Sequence, residues 1–135
     1  MTSYEHAVAA TRGAREYQED TAAYWPGGEN TFPIPQAAVA IPNGGGIAVL
    51  ADGMGGHTGG ALASRMVCEQ FLATAAQHEG APRDRLEAAL YAANAALASK
   101  VADKPALAGM GSTLIGTAFT DAGIEWISVG DSPLY

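Results

Sequence analysis

Asp52 closes an apolar run, and Gly53, Gly55, Gly56, Gly59 and Gly60 follow it within "LADGMGGHTGGALAS", residues 50 to 64. A strand that ends in a glycine-rich turn and feeds a helix suits anions, because free N–H groups at the helix start point at the ligand. The glycine spacing fits neither common nucleotide motif. A G-x-G-x-x-G beginning at Gly53 needs glycine where Thr58 stands, and a P-loop needs a Gly-Lys-Ser/Thr that the stretch lacks. A bare carboxylate facing a phosphate is repulsive unless a cation lies between them. The chemistry therefore favours a hard divalent cation such as Mg²⁺ or Mn²⁺, which takes carboxylate, carbonyl and water oxygens. Asp52 offers the carboxylate, and Gly53, without a side chain, can offer its carbonyl.

Asp-Gly alone is also an ordinary turn dipeptide, so the metal reading needs partners, and two other acidic positions supply them. "AREYQED" places Glu19 and Asp20 just before an apolar segment, with Arg15 four residues ahead of Glu19. "SVGDSPLY" places Asp131 at the end of another apolar strand, the same design as "LADG". Solvated turns would account for each acidic position taken singly, but their conjunction with Asp52 is harder to explain that way and fits a metal site.

Strands and helices must bring these residues together. "HAVAAT" (6 to 11) and "DTAAYW" (20 to 25) read as strands paired through the polar turn "RGAREYQE". "AAVAI" (37 to 41) and "GIAVLA" (46 to 51) read as a hairpin whose turn uses Asn43-Gly44. The stretch from Gly27 to Pro35 reads as a surface loop. A helix is expected from Thr58, as N-cap, to about Gln77. A second opens at Pro82, with Leu86, Leu90, Ala93, Leu97 and Val101 forming one apolar stripe before Pro105. "STLIGTAFT" and "GIEWISVGD", joined by "DAG", read as an antiparallel pair. Strands, two helices and strands without βαβ alternation predict an α+β domain, with largely antiparallel β-sheet and a packed pair of helices.

Composition narrows the classes. The chain has 135 residues, 48% of them hydrophobic, about the length of one domain. Seven Lys and Arg against fourteen Asp and Glu give a formal net charge of −7, a surface that repels nucleic-acid backbones and anionic membranes. No segment approaches the roughly 20 consecutive apolar residues of a membrane helix, and the start "MTSYEHAVAATRGAR" lacks a signal-peptide pattern. A cytoplasmic location follows as the expectation. Cys68, the single cysteine, excludes an internal disulfide and reads as a buried core thiol.

Four blocks, "REYQED", "ADGMGGHTGGALAS", "GMGSTLIGTAF" and "VGDSPLY", stand in the order found in the PPM-type metal-dependent serine/threonine protein phosphatases, also called protein phosphatase 2C. The chain resembles bacterial members of that family through its Asp-Gly-Met-Gly-Gly form. The resemblance implies that residues 1–135 are the N-terminal part of an α-β-β-α sandwich phosphatase domain, a single and incomplete domain. It implies hydrolysis of phosphoserine and phosphothreonine on proteins, opposing a serine/threonine kinase in bacterial signalling, with two Mn²⁺ or Mg²⁺ ions and a third, weaker one. In that reading Asp52 bridges the two ions, the Gly53 carbonyl and Glu19 help on one of them, and Asp20 lies nearby. Arg15 then fixes the substrate phosphate, and Asp131 serves the third ion.

The chain also departs from the family pattern. Met54 stands where many eukaryotic members have a proton-donating histidine, and Pro133 stands where an arginine is common. Two later aspartates that complete the family's metal pair have no counterpart up to Tyr135. These 135 residues are therefore expected to turn over substrate poorly by themselves, and the apolar edge "IEWISVG" to favour self-association. The alternative is a non-catalytic phosphatase-like module that binds a phosphoprotein or regulator through the same groove.

Overall fold

The computed structural model describes residues 4–27, 32 and 36–135, without the side chains of His57 and Thr58. Most of the expected 27–35 loop lies outside the described residues.

Period-2 alternation sets the sheet. In strand β2, Gly46–Met54, the residues Ile47, Val49, Ala51 and Gly53 are buried on one face, whereas Leu50, Asp52 and Met54 are exposed on the other. Strand β1, Asp20–Trp25, runs antiparallel beside it with Asp20 opposite Asp52 and Trp25 opposite Ile47. Beyond β2 lie β3 (Gly111–Ser112), β4 (Leu114–Thr120) and β5 (Gly123–Val129). The order is β1-β2-β4-β5, with β3 pairing β2, and every pairing is antiparallel.

Two helices cover one face of the sheet. Helix α1, Gly56–Gln77, lies over β1 and β2; helix α2, Pro82–Asp103, packs on α1 and reaches β4 and β5. Phe71 and Leu72 of α1 meet Leu86, Ala89 and Ala93 of α2 above Ile47, Val49 and Leu114. Burying one such large side chain contributes about 1.5–3 kcal/mol, so this layer dominates the stability of the fold. The expected α2 stripe is present: Leu86 and Ala93 are buried, and Leu90 and Leu97 pack against the core. Cys68 is fully buried, and loss of solvent pushes its thiol up to about 12.

Arg85 is the one buried cation among the described residues, at 3% exposure. Its guanidinium donates to the carbonyls of Gly80 (3.3 Å), Val39 (2.8 Å) and Ala75 (3.1 Å). It thereby ties the end of α1, the turn into α2 and the stretch around Val39 into one unit, and burial lowers its pKa.

The structure corrects several local expectations. Residues 6 to 11 form no strand and do not pair with β1. They cross the outer face of the sheet, where His6 stacks on Tyr24 at 3.8 Å and the Tyr4 hydroxyl donates to Thr120 O at 2.7 Å. Covering apolar surface there replaces the ladder bonds that a hairpin would have made. The 37–41/46–51 hairpin is also absent. Asn43 and Gly44 do take positive φ (59° and 77°), but β2 pairs with β1 and β4, while Val39 N–H donates to Ala76 O at the end of α1. The edges of β1 and β4, about ninety residues apart in the chain, outcompete the neighbouring segment because they bury Ile47 and Val49 under α1. Helix α1 begins at Gly56, with Gly55 and not Thr58 as its N-cap. The expected strand at 112–120 is broken at Thr113, and β5 ends at Val129, which leaves Asp131 beyond the strand.

Among the described residues no helix is long and apolar enough to cross a membrane. Strand β5 is an edge, with Ile124, Trp126 and Val129 exposed.

Candidate metal centre

The end of β2 meets the start of α1 at very short range, which explains the glycines of the junction. A Cβ on Gly53 would lie 1.8 Å from Gly60 O, and a Cβ on Gly60 would lie 2.8 Å from the Glu19 carboxyl carbon. Neither position tolerates a side chain without displacing backbone or the Glu19 carboxylate. Gly53 N–H donates to Glu19 O at 3.0 Å, so the residue before β1 is fastened to the end of β2.

This seam puts acidic groups side by side. Asp20 and Asp52 are register partners on adjacent strands and both are exposed on the sheet face away from the helices. The proton of Asp20 is held above the ordinary carboxylate range, first by loss of solvent, then by a hydrogen bond with the Asp52 carboxyl and by that group's charge. The positive charge of Arg15 acts in the opposite sense, and Glu19 adds to the rise. The Glu19 carboxylate lies against Gly60 and accepts a hydrogen bond from the Tyr17 side chain, whose pKa is raised first by loss of solvent and then by the charge and hydrogen bond of Glu19. Arg15 is exposed beside Glu16, Tyr17 and Glu19 in a shallow hollow.

The structure thus brings Asp20, Asp52, Glu19, Gly53 and Arg15 to one end of the sheet. Asp131 is exposed beyond β5, and its loop is tied to β2 through Thr113 and Ser132. Among the described residues no group of three or more His, Cys, Asp or Glu side chains is gathered closely enough to hold a metal. The donor chemistry still fits a hard divalent cation. Two carboxylates repel across adjacent strands, and such cations accept few protein oxygens and keep water in their remaining positions. The large cleft on the outer face, about 480 Å³ beneath Tyr4, His6 and Val8, is lined by none of these carboxylates.

A pH test follows. In the folded chain Asp20 keeps its proton above the ordinary value of 3.8. In the window just above that value the folded state binds more protons than the unfolded state, so this group's contribution to stability falls as pH rises. Asp20→Asn removes that contribution. In chelator, the melting temperature of the variant minus that of the wild type is expected to grow from about pH 3.5 to about pH 6. A difference that stays flat across that range rules out the repulsive pair.

Two groups at this seam, Thr113 and Ser132, carry no carboxylate to mark them, and their signal lay only in the blocks "GMGSTL" and "VGDSP" that contain them.

The protein phosphatase 2C family model matches residues 36–135. The chain belongs to the protein phosphatase 2C family. It is 38% identical over 87 residues to the serine/threonine protein phosphatase PstP of Mycobacterium tuberculosis, in both strain CDC 1551 / Oshkosh and strain H37Rv. That match covers 64% of this chain and 17% of PstP, so this phosphatase 2C chain spans a small part of its relatives' length.

Solved phosphatases share the fold. The M. tuberculosis PstP/Ppp structure superimposes with a TM-score of 0.63 at 31% identity, covering 87% of this chain and 42% of that one. The S. agalactiae serine/threonine phosphatase gives 0.64 at 25% identity, with 87% and 44% covered. The PstP catalytic domain in complex with two manganese ions gives 0.61 at 31% identity, with 87% and 43% covered. The antiparallel sheet with two packed helices is therefore a part of the phosphatase 2C fold.

Proposed function

We propose that this chain is the metal-carboxylate part of a protein phosphatase catalytic domain that hydrolyses phosphoserine and phosphothreonine on proteins, opposing a serine/threonine kinase. The observation that carries the reading is the Asp20–Asp52 pair, two carboxylates set side by side with the Arg15 cation near them. The two manganese ions of the related PstP catalytic domain support it. Asp52, Asp20, Glu19 and the Gly53 carbonyl hold Mn²⁺ or Mg²⁺, and Asp131 serves a further, weaker ion. When bound, such ions lower the pKa of water enough for it to act as a nucleophile near neutral pH, and they offset phosphate charge. Arg15 binds and orients the phosphate through its forked guanidinium. Gly53 and Gly60 keep the seam narrow, so that Glu19 stays beside the pair.

A phosphoprotein-binding module without turnover is the second reading, and the absence of a three-ligand cluster among the described residues favours it. One assay separates the two. Release of phosphate from a phosphothreonine peptide, with millimolar Mn²⁺, is compared between these 135 residues and a protein in which they are followed by the remaining length of a family catalytic domain. The longer protein is expected to be faster by roughly a hundredfold or more, because two-metal hydrolysis needs both ions held. Arg15→Ala in the longer protein raises KM about tenfold with a smaller effect on kcat, as loss of ground-state binding does. Peptide binding with no turnover by the longer protein would establish the module reading instead.

A further inference from the structure

Asp52 is the residue on which the proposed function turns, and its backbone is held in an irregular way. Leu50 pairs with Ile115 and Gly53 with Ser112, which places Thr113 opposite Asp52 in the break between β3 and β4. In a regular antiparallel ladder two such residues exchange N–H to carbonyl bonds. Here Thr113 N–H donates to Asp52 O at 2.9 Å, but the Asp52 N–H donates to the Thr113 hydroxyl at 3.1 Å. The Ser112 hydroxyl donates to the Thr113 carbonyl at 2.7 Å and lies 3.1 Å from Asp52 O.

The same Thr113 hydroxyl reaches a third block. It shares a hydrogen bond with the Ser132 hydroxyl at 2.7 Å, and Thr113 is 4% exposed. Gly130, at φ +99°, packs so tightly that a Cβ there would lie 2.8 Å from Thr113 Cγ2. The loop that carries Asp131 is therefore seated on Thr113. One buried oxygen joins the backbone of Asp52 to the residue after Asp131.

We infer that Thr113 is a positioning residue, whose hydroxyl, joined to Ser132, fixes the Asp52 carboxylate and the Asp131 loop relative to each other for metal binding. The inference rests on the metal reading of Asp52 above. On the Thr113 side the Asp52 backbone lacks the regular return bond from its own N–H to the partner carbonyl, so the Thr113 hydroxyl sets where it lies, and the carboxylate moves with its backbone. Groups that orient a metal ligand from behind commonly matter tenfold or more to metal affinity. A threonine that only filled space would behave differently, and side-chain chemistry separates the cases. Valine keeps the shape and loses the hydroxyl; serine keeps the hydroxyl and loses the methyl.

The test uses the 135-residue chain, labelled with ¹⁵N, in two measurements: hydrogen exchange of the Asp52 amide in chelator, and calorimetric titration with Mn²⁺. Thr113→Val is expected to speed Asp52 exchange about tenfold, as loss of a buried partner does, and to weaken Mn²⁺ binding about tenfold. Thr113→Ser stays within about twofold of wild type in both. Ser132→Ala leaves Asp52 exchange unchanged and weakens Mn²⁺ about threefold; with Thr113→Ser it decides the matter if the valine variant does not fold. Wild-type affinity in both Thr113→Val and Ser132→Ala, or damage by serine equal to that by valine, overturns the inference. A wild-type chain that takes up no Mn²⁺ overturns the metal reading of Asp52 and the affinity half with it. The exchange comparison then still upholds or overturns the joint between Asp52 and Thr113.

Discussion

Asp52→Asn is expected to weaken Mn²⁺ binding by these residues roughly tenfold or more, with little loss of folding stability. The neutral amide halves the anionic charge of the Asp20–Asp52 pair, and a hard divalent cation depends on that charge to offset the loss of its hydration shell. The fold does not depend on it. Asp52 is exposed, and the bonds that hold it in place run through its backbone to Thr113, Ser112 and β1, all of which asparagine keeps. Asp20 is raised first by loss of solvent and then by its hydrogen bond to Asp52 and by that group's charge; removing the charge relieves the last of these, so the metal-free chain should melt no lower than wild type near neutral pH. Calorimetry with Mn²⁺ and thermal melting in chelator check the two halves. Unchanged Mn²⁺ affinity would refute the assignment of Asp52 as a metal carboxylate.

Arg85→Met is expected to have the opposite profile, a large loss of stability with no specific effect on the site. Methionine fills much of the same space but cannot donate to the carbonyls of Gly80, Val39 and Ala75. Hydrogen bonds from a charged donor contribute more than neutral ones, and acceptors left buried without a partner add a penalty, so the net loss is about 2–3 kcal/mol. The guanidinium's own desolvation offsets part of the gross gain, which is why three bonds do not sum. For a domain of this size that loss lowers the melting temperature by roughly 10 °C. Arg85→Lys should recover little, since one ammonium cannot span acceptors on three segments. A methionine variant that melts within about 2 °C of wild type would mean that the clamp is ornamental to the fold. If Mn²⁺ affinity fell while the melting temperature stayed put, Arg85 would belong to the site.

The residues of the proposed metal site were legible in the sequence because each is marked locally. Asp52 closes an apolar alternation, Asp20 opens one, and the five glycines after Asp52 announce a backbone that must pass close to something. Helix α2 and the β4–β5 hairpin were legible for the same reason: a proline at the first helical position, a single apolar stripe and a tight turn at Asp121-Ala122 are properties of neighbouring residues. Tertiary structure decided which strand edges meet. The alternation in β2 says that Ile47, Val49 and Ala51 face a core, but the same alternation would serve a hairpin with residues 37–41 or the observed pairing with β1 and β4. The observed choice follows from where α1 lands, and it alone puts Asp20 opposite Asp52. Likewise Thr113 and Arg85 look unremarkable in the chain, a threonine after Gly-Ser and an arginine near a helix start. Their importance comes from which unpaired backbone groups the folded chain leaves within their reach. A sequence pattern records how each residue stands toward water and its near neighbours, whereas buried hydrogen-bond partners sixty residues away are fixed only once the sheet and helices have packed.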